Sequence, residues 1–197
     1  MRKLIVCNIM SVDGFYEGPG NNVMALPMDG AFDAYNLERI QCADTVLLGR
    51  ASYELFSGFW PMMADNPEAT DVHREFSRYY NNVDKAVITD TYSPAPDSPW
   101  HNTTTVVPRS DAEQWVADHK ACPGRDILMF ASHTTWNSLL AAGLVDELHL
   151  IVGATALGAG TPTFTAPVSG LRLLDAVRLD TSDNSVLRYA ITDRLNI

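Results

Sequence analysis

The stretch Asp126–Phe164, DILMFASHTTWNSLLAAGLVDELHLIVGATALGAGTPTF, predicts how the whole chain is organised. Its short apolar run, Ile127–Phe130, is typical of a buried strand. After two small residues, apolar side chains recur at helical spacing until Gly143, where a left-handed residue ends the helix most easily. A second apolar run, Leu148–Val152, follows. The stretch therefore predicts a strand, a tight turn, a helix and a second strand, which is a β-α-β unit.

The turn between the first strand and the helix is a candidate anion site. Free amide groups and the helix dipole attract phosphate at a helix N-terminus. Many α/β turns look similar and bind nothing, so the turn alone leaves a binding site and plain architecture both open. The arrangement recurs where the predicted strand Thr45–Leu48 runs into Gly49 and Arg50. The Arg50 guanidinium can grip phosphate, or it can pair with Glu54 one helical turn later.

Composition places the chain among ordinary globular proteins. Its 197 residues suffice for one domain, predicted to span residues 1–197, and 46% of them are hydrophobic. No apolar run approaches the roughly 20 residues that span a bilayer, which argues against a membrane partner. The net charge of −10 repels nucleic acid, and an anionic cofactor must therefore be held by local groups.

The cysteines and histidines give no sign of a disulfide framework or a metal site. The three cysteines are far apart, and neither they nor the five histidines show metal-ligand spacing. The N-terminal segment lacks the small-residue cleavage site of a signal peptide and is interpreted as a strand. Together these features predict a cytoplasmic protein without a metal.

The remaining segments predict one α/β domain with a mostly parallel sheet. Pro61 is expected to end the helix that follows Arg50, and Ser110 with Glu113 to form a capping box. The other predicted elements are strands Lys3–Met10, Lys85–Thr89 and Thr104–Val107, helices Asp29–Cys42 and Glu68–Asn82, and a final antiparallel hairpin of Leu171–Leu179 with Val186–Thr192.

Common catalytic motifs are missing. The chain contains no G-x-S-x-G elbow, no phosphate-binding G-x-x-x-x-G-K-[ST] loop and no H-E-x-x-H. Gly158 and Gly160 do not form a dinucleotide fingerprint, because Thr161 and Pro162 follow them in place of a helix. The residues by themselves support a nucleotide-sized anion site made by two turns, without identifying a reaction.

Four segments together resemble the dihydrofolate reductase-like superfamily, in particular stand-alone relatives of the C-terminal domain of the riboflavin-biosynthesis deaminase-reductase. They are SVDGF at Ser11–Phe15, LLGRASYE at Leu47–Glu54, GLVDELHL at Gly143–Leu150 and LGAGTPTF at Leu157–Phe164. The resemblance implies a three-layer αβα fold with a central mixed sheet. It also implies NADPH as hydride donor, with NADH possible, a pterin- or pyrimidine-like substrate, and a homodimer.

The resemblance also assigns roles to individual residues. Thr89 is expected near the adenosine ribose, and Asp29 is expected to assist protonation of the reduced ring, which requires a raised pKa in an apolar pocket. Asp29 also fits a plain helix N-cap. The loop covering the nicotinamide and substrate would contain Ser11, Asp13 and Gly14. The cofactor phosphates would be held by Gly49, Arg50, Ala51 and Ser52 and by Ala131, Ser132, His133, Thr134 and Thr135.

Three positions depart from the family pattern. Glycine is usual at the place of Ala131 and frequent at that of His133. The side chain of Ala131 is compatible with the turn if its φ is negative, and a protonated His133 could contact phosphate. Asp90, beside Thr89, would repel a 2′-phosphate, which leaves the preference between NADPH and NADH open.

Three functions are compatible with the sequence. The first is an NADPH-dependent reductase of a pyrimidine- or pterin-like substrate, resembling 5-amino-6-(5-phosphoribosylamino)uracil reductase. The riboflavin-pathway form would reduce the ribose of its substrate and grip its phosphate, although no basic cluster accompanies the substrate loop. The second is dihydrofolate reduction, which rests on Asp29 alone. The third is a non-catalytic nucleotide-binding dimer that has lost the reaction.

Overall fold

An eight-stranded sheet forms the centre of the protein, whose computed structural model describes residues 1–192. Within those residues the strands are, in chain order, β1 (Leu4–Ser11), β2 (Phe15–Glu17), β3 (Ala43–Gly49), β4 (Asp84–Ile88), β5 (Thr104–Val107), β6 (Asp126–Phe130), β7 (Glu147–Gly153), β8 (Thr161–Pro162), β9 (Leu171–Arg178) and β10 (Ser185–Ile191). The α-helices of the same residues are α1 (Gly30–Gln41), α2 (Arg50–Ser57), α3 (Trp60–Met63), α4 (Asp71–Asn82), α5 (Ala112–Ala121) and α6 (His133–Ala141).

The large sheet has the strand order β5-β4-β3-β6-β1-β7-β10-β9, and β2 pairs with β8 in a small second sheet. Neighbours from β5 to β7 are parallel, and β10 is antiparallel to both β7 and β9. Parallel strands of this kind are covered on both faces, which explains their nearly continuous apolar sequences. The predicted mixed, mostly parallel sheet with a C-terminal antiparallel hairpin is confirmed.

Alternate residues of the parallel strands build two cores, one on each face of the sheet. In β1, Ile5 and Cys7 point to the face covered by α1, α2 and α4, while Leu4 and Val6 point to the face covered by α5 and α6. The predicted three layers follow, because right-handed crossovers place helices on opposite faces when the chain reverses direction along the sheet.

The two helix layers diverge between β3 and β6. β3 continues into α2 on one face, and its neighbour β6 continues into α6 on the other. Open α/β sheets bind ligands in the crevice that such a divergence leaves at the carboxyl ends of the strands. The fold therefore places both predicted turns at one edge of the sheet.

Two local predictions are wrong. Helix α2 already ends at Ser57, and Pro61 lies in the first turn of the short helix α3, where a missing N–H costs nothing. The capping box does not form either. Ser110 donates instead to the Asp111 side chain within a 3-10 turn, and α5 begins only at Ala112.

The three cysteines are free, and burial raises the pKa of Cys7 to about 12. Within residues 1–192, no three His, Cys, Asp or Glu side chains are grouped so that they could hold a metal ion. No helix of this part of the chain has the length and apolar character needed to cross a bilayer.

Lys85 is a buried cation without a carboxylate partner among the described residues. Its side chain is only 1% exposed, and Nζ donates to the Val83 carbonyl at 2.7 Å and the Asn81 carbonyl at 3.3 Å. The ring centroids of Trp100 and Tyr80 lie 4.8 and 5.7 Å from Nζ. Burial lowers the pKa of Lys85 to about 7, although Asp84 acts in the opposite direction.

Lys85→Met should weaken the pH dependence of folding stability. A free lysine titrates near about 10.4, so between about pH 7 and that value the unfolded chain binds a proton that the folded chain does not. Stability of the native protein therefore rises with pH in this window, by up to about 1.4 kcal/mol per pH unit. Urea denaturation at pH 7 and pH 9 measures the difference.

Lys3→Met is the matched control for this prediction. Its ammonium donates to Glu147, and that hydrogen bond raises the pKa of Lys3, so it titrates outside the window. The control should retain the native pH dependence. An unaltered pH dependence in Lys85→Met would show that Lys85 is charged in the folded protein throughout.

Candidate active site

The two strand-to-helix turns are in direct contact. The Gly49 amide donates to the Ser132 hydroxyl at 3.1 Å, and the Ser132 amide donates to the Ser52 hydroxyl at 2.9 Å. A Cβ atom at Gly49 would lie 2.5 Å from Oγ1 of Thr135. Glycine therefore lets the backbone of β3 approach the first turn of α6.

Neither helix at this junction is capped by a side chain of the described residues. α2 follows Gly49 and α6 follows Ser132, and neither residue makes a side-chain cap bond. α1 and α4, by contrast, are capped by Asp29 and Thr70. The first-turn amides of α2 and α6 therefore remain available, and the two dipoles favour an anion between them. Two further residues of the predicted cofactor set, Ala51 and Thr134, are exposed in these first turns.

The turn after β6 uses two consecutive left-handed residues, with φ of 49° at Ala131 and 56° at Ser132. Ala131 therefore does not have the negative φ at which its side chain was expected to be compatible with the turn. The chain must reverse sharply here so that the Ser132 hydroxyl reaches Gly49, and Asn8 holds the turn by donating to the Ala131 carbonyl at 3.2 Å. Left-handed backbone at non-glycine residues costs about 1–2 kcal/mol each, which explains why glycine suits Ala131.

His133 connects the turn to the small sheet. Its Nε2 lies 2.9 Å from the Pro162 carbonyl and 3.0 Å from the Thr163 carbonyl, and its ring centroid lies 4.7 Å from that of Tyr16. The imidazole thus donates to the segment that follows the glycine-rich loop. Nε2 is therefore engaged, so a contact between His133 and phosphate would have to come from Nδ1 or require the ring to leave both carbonyls.

Arg50 reaches from the start of α2 to the chain beyond β4. It pairs with Glu54, with two distances of 3.2 Å, and Nη1 donates to the Thr91 hydroxyl at 3.0 Å. The guanidinium also lies 5.5 Å from the centroid of the Tyr92 ring. The helical pair with Glu54 is therefore present, and the exposed guanidinium remains beside the junction.

The end of β4 contains an ion pair that the sequence did not reveal. Thr89 is 2% exposed, and its hydroxyl accepts the Thr91 amide at 3.2 Å. Asp90 accepts the Arg109 amide at 2.9 Å, and the Arg109 guanidinium lies 3.6 Å from its carboxylate. Arg109 therefore offsets the negative charge that Asp90 places beside Thr89.

A cavity of about 420 Å³ adjoins the second turn. Ala131 forms part of its wall, and Asn8 lines it from the carboxyl half of β1. Most of the remaining wall is aliphatic or aromatic, with Phe32, Trp60 and Phe76 among its members. The cavity therefore adjoins the paired helix N-termini at Ala131, the residue before the N-cap of α6.

Asp33 is the single carboxylate among the described residues that line this cavity, and it pairs with His73. The Asp33 carboxylate lies 2.9 Å from Nε2 of His73, which α4 supplies. Burial raises the pKa of Asp33, and His73 opposes this rise. Sequence periodicity missed the pair because it searches for apolar residues. The available signal was helical spacing, because Asp33 lies two turns before the buried Ile40 and therefore on the same face of the helix.

Asp29 lies outside the cavity wall and caps α1. Its carboxylate accepts the amides of Ala31 at 3.1 Å and Phe32 at 3.0 Å, and the Ser182 hydroxyl at 2.5 Å. Desolvation raises its pKa, but these hydrogen bonds outweigh it and the pKa of Asp29 is lowered on balance. The apolar pocket and raised pKa that proton donation requires occur at Asp33 and not at Asp29.

The three residues predicted in the covering loop determine the shape of that loop. Ser11 is fully buried and accepts the Phe15 amide at 2.9 Å, while Gly14 has a φ of 86°. Asp13 accepts the Leu157 amide at 3.0 Å and the Gly158 amide at 2.7 Å. Hydrogen bonds from Ser11, Gly158 and Leu157 lower the pKa of Asp13 to about 2. The loop after β1 is therefore tied to the glycine-rich loop after β7.

The sheet, its two helix layers and the site at its carboxyl edge define an α/β protein of the dihydrofolate reductase-like fold. The profile of the RibD C-terminal domain matches residues 2–187. The chain belongs to this family, which is of the reductase type.

Known proteins similar to this chain support the same fold. The uncharacterized protein YyaP of Bacillus subtilis (strain 168) is 26% identical over 163 residues, which are 83% of this chain and 80% of YyaP. A pyrimidine reductase-like protein of Corynebacterium diphtheriae has a TM-score of 0.63 at 15% identity, covering 98% of this chain and 92% of its own. Dihydrofolate reductase of Enterococcus faecalis complexed with NADP(H) has a TM-score of 0.61 at 13% identity, covering 97% of each chain. At such identities the structural similarity shows the fold alone.

Ala131→Gly should stabilise the protein by about 1 kcal/mol, because glycine adopts the left-handed turn without the side-chain conflict. Ala117→Gly is the matched control. Ala117 is an exposed residue inside α5, where the same substitution should lower the free energy of unfolding by about 1 kcal/mol. Urea denaturation of both variants measures the two changes. Equal destabilisation by both would show that Ala131 is not strained.

Proposed function

We propose that this protein is an NADPH-dependent reductase of a planar, pyrimidine- or pterin-like heterocycle. One observation carries the proposal: two uncapped helix N-termini meet beside an apolar cavity in which one carboxylate, Asp33, is paired with a histidine, His73. The junction suits the phosphates of a dinucleotide, and the cavity suits an aromatic ring. Membership of a reductase-type family agrees with this assignment.

The residues at the junction fit a dinucleotide by the chemistry of their donors. Amides in the first turns of α2 and α6 would bind the phosphates, and the close approach at Gly49 brings both sets together. The residues assigned to the cofactor are Gly49, Arg50, Ala51, Ser52, Thr89, Ala131, Ser132, His133, Thr134 and Thr135. When bound, NADPH supplies a hydride.

Arg50 and Arg109 support NADPH over NADH in this proposal. Arg50 reaches Thr91, and Arg109 pairs with Asp90, so two cations flank the end of β4 where Thr89 would meet the adenosine ribose. A 2′-phosphate there would meet Arg50 directly and an Asp90 whose charge is already paired. The same arrangement would give NADH no added contact.

The proton for ring reduction is assigned to the Asp33–His73 pair. Reduction of a C=N or C=C bond in a heterocycle needs a proton as well as a hydride. Asp33 lines the cavity, and burial raises its pKa, which is the direction that a general acid requires. Nε2 of His73 lies 2.9 Å from the Asp33 carboxylate and holds it in position.

Titration with NADPH, followed by tryptophan fluorescence, tests cofactor binding. We expect saturable binding in the micromolar range and weaker binding of NADH. Arg50→Ala should weaken NADPH binding by about 1–3 kcal/mol, the size of a lost charge-assisted hydrogen bond. Arg172→Ala is the control, because Arg172 lies on β9, the last strand of the sheet, five positions away from the strand β3 that precedes Arg50.

An unchanged affinity in Arg50→Ala would remove Arg50 from the site. If neither NADPH nor NADH binds, the reductase proposal fails. The non-catalytic scaffold would then be the function that agrees with the fold.

Asp33→Asn should lower turnover by about 10²–10⁴-fold, the usual contribution of a general acid. NADPH oxidation with dihydrofolate and with ribosylated aminouracils as trial substrates provides the measurement. Turnover by the native protein should fall as pH rises through the raised pKa of Asp33, since the protonated form donates. Asp33→Asn should lose this pH dependence.

Asp29→Ala separates the two carboxylates. It should leave the turnover of folded protein largely intact and lower the free energy of unfolding by about 0.5–2 kcal/mol, because it removes the cap of α1. A large loss of turnover in Asp29→Ala, with none in Asp33→Asn, would return the proton-donor role to Asp29. Turnover of dihydrofolate would favour the pterin branch of the proposal.

A further inference from the structure

The described wall of the cavity beside the second turn offers a phosphate no lysine or arginine. Its one imidazole among the described residues, that of His73, is already paired with the Asp33 carboxylate at 2.9 Å. Its other polar side chains are already engaged in part. Asn36 accepts from the Cys7 thiol at 3.3 Å, and Asn8 donates to the Ala131 carbonyl at 3.2 Å. Together with a net charge of −10, this wall disfavours a dianionic group.

The arginines of α4 do not compensate, because they are used elsewhere. α4 contributes Val72, His73 and Phe76 to the cavity. Arg74 donates to the carbonyls of residues 66, 67 and 69 and pairs with the Asp71 carboxylate. Arg78 donates to the carbonyl of residue 64 at 3.4 Å. These two cations hold the segment before α4 in place and are not directed at the cavity.

The mouth of the cavity is apolar and exposed. Met24, Leu55 and Phe59 all line the cavity, yet they are 77%, 62% and 42% exposed. They come from two separate segments of the chain, the 3-10 turn before α1 and the stretch from the second half of α2 to the start of α3. Apolar side chains gathered around the opening of a binding cavity mark a surface that a ligand covers.

We propose that the substrate carries an apolar substituent and no phosphate. Its planar ring occupies the inner cavity near Ala131 and Asp33, and its substituent lies against Met24, Leu55 and Phe59. This inference rests on the proposed function, because it takes the cavity to be the substrate site. It separates the protein from a reductase of phosphoribosylated aminouracil, whose substrate would bring a phosphate to a cavity wall without lysine or arginine.

Three uracils that differ only in their substituent at N1 test this proposal. They are 1-benzyluracil, uridine and uridine 5′-phosphate, titrated calorimetrically into the purified protein with and without NADPH. We expect 1-benzyluracil to bind about tenfold or more tightly than uridine, and the phosphate to bind more weakly than uridine. Tightest binding of the phosphate, no advantage for the benzyl group, or no binding of any of the three would each overturn the proposal.

Variants at the mouth of the cavity test whether the apolar substituent binds there. Leu55→Ser and Phe59→Ser should each weaken 1-benzyluracil by several-fold and leave uridine nearly unchanged. Leu173→Ser is the matched control, because Leu173 is 52% exposed on the edge strand β9, outside the cavity wall. Leu55→Lys should reduce the difference in binding affinity between uridine and uridine 5′-phosphate. Equal losses of 1-benzyluracil affinity in the control and the mouth variants would contradict the assignment.

The same protein samples distinguish failure of this inference from failure of the proposed function. If NADPH binds but the phosphate is the preferred uracil, the inference fails and the reductase proposal stands. If the uracils bind in the expected order but NADPH and NADH do not bind, the reductase proposal fails. The cavity would then still prefer apolar, phosphate-free ligands.

Discussion

The hydrogen bond from the Gly49 amide to the Ser132 hydroxyl is the constraint on which the site depends. It joins the ends of β3 and β6, neighbours whose helices lie on opposite faces of the sheet. Because both turns are held together, the free amides of two helices converge on one point. Two left-handed residues, Ala131 and Ser132, are the cost of this convergence.

The two carboxylates at the start of α1 have pKa shifts of opposite direction because their environments differ. Asp29 and Asp33 lie one helical turn apart, yet the pKa of Asp29 is lowered and that of Asp33 is raised. Asp29 accepts hydrogen bonds at the helix start, whereas Asp33 is desolvated in an apolar cavity beside His73. A carboxylate suited to capping and one suited to holding a proton therefore occur on the same helix.

The charge distribution distinguishes the two halves of the site. The junction supplies amides and Arg50 to an anion, in a chain with a net charge of −10. The cavity supplies aromatic and aliphatic walls, the Asp33–His73 pair and an apolar mouth. The two halves therefore suit the ligands proposed for them, an anionic cofactor at the junction and a phosphate-free substrate in the cavity.

The sequence alone determined the mixed sheet, the final hairpin and the position of both turns, because apolar periodicity and small residues at strand ends are local properties. It did not determine the left-handed φ of Ala131, which follows from contacts with β1 and β3. It also missed the pairing of Asp33 with His73, which lies 40 residues away along the chain. Only the packing of α4 against α1 brings these groups together and removes them from water, and that packing decides which carboxylate can hold a proton.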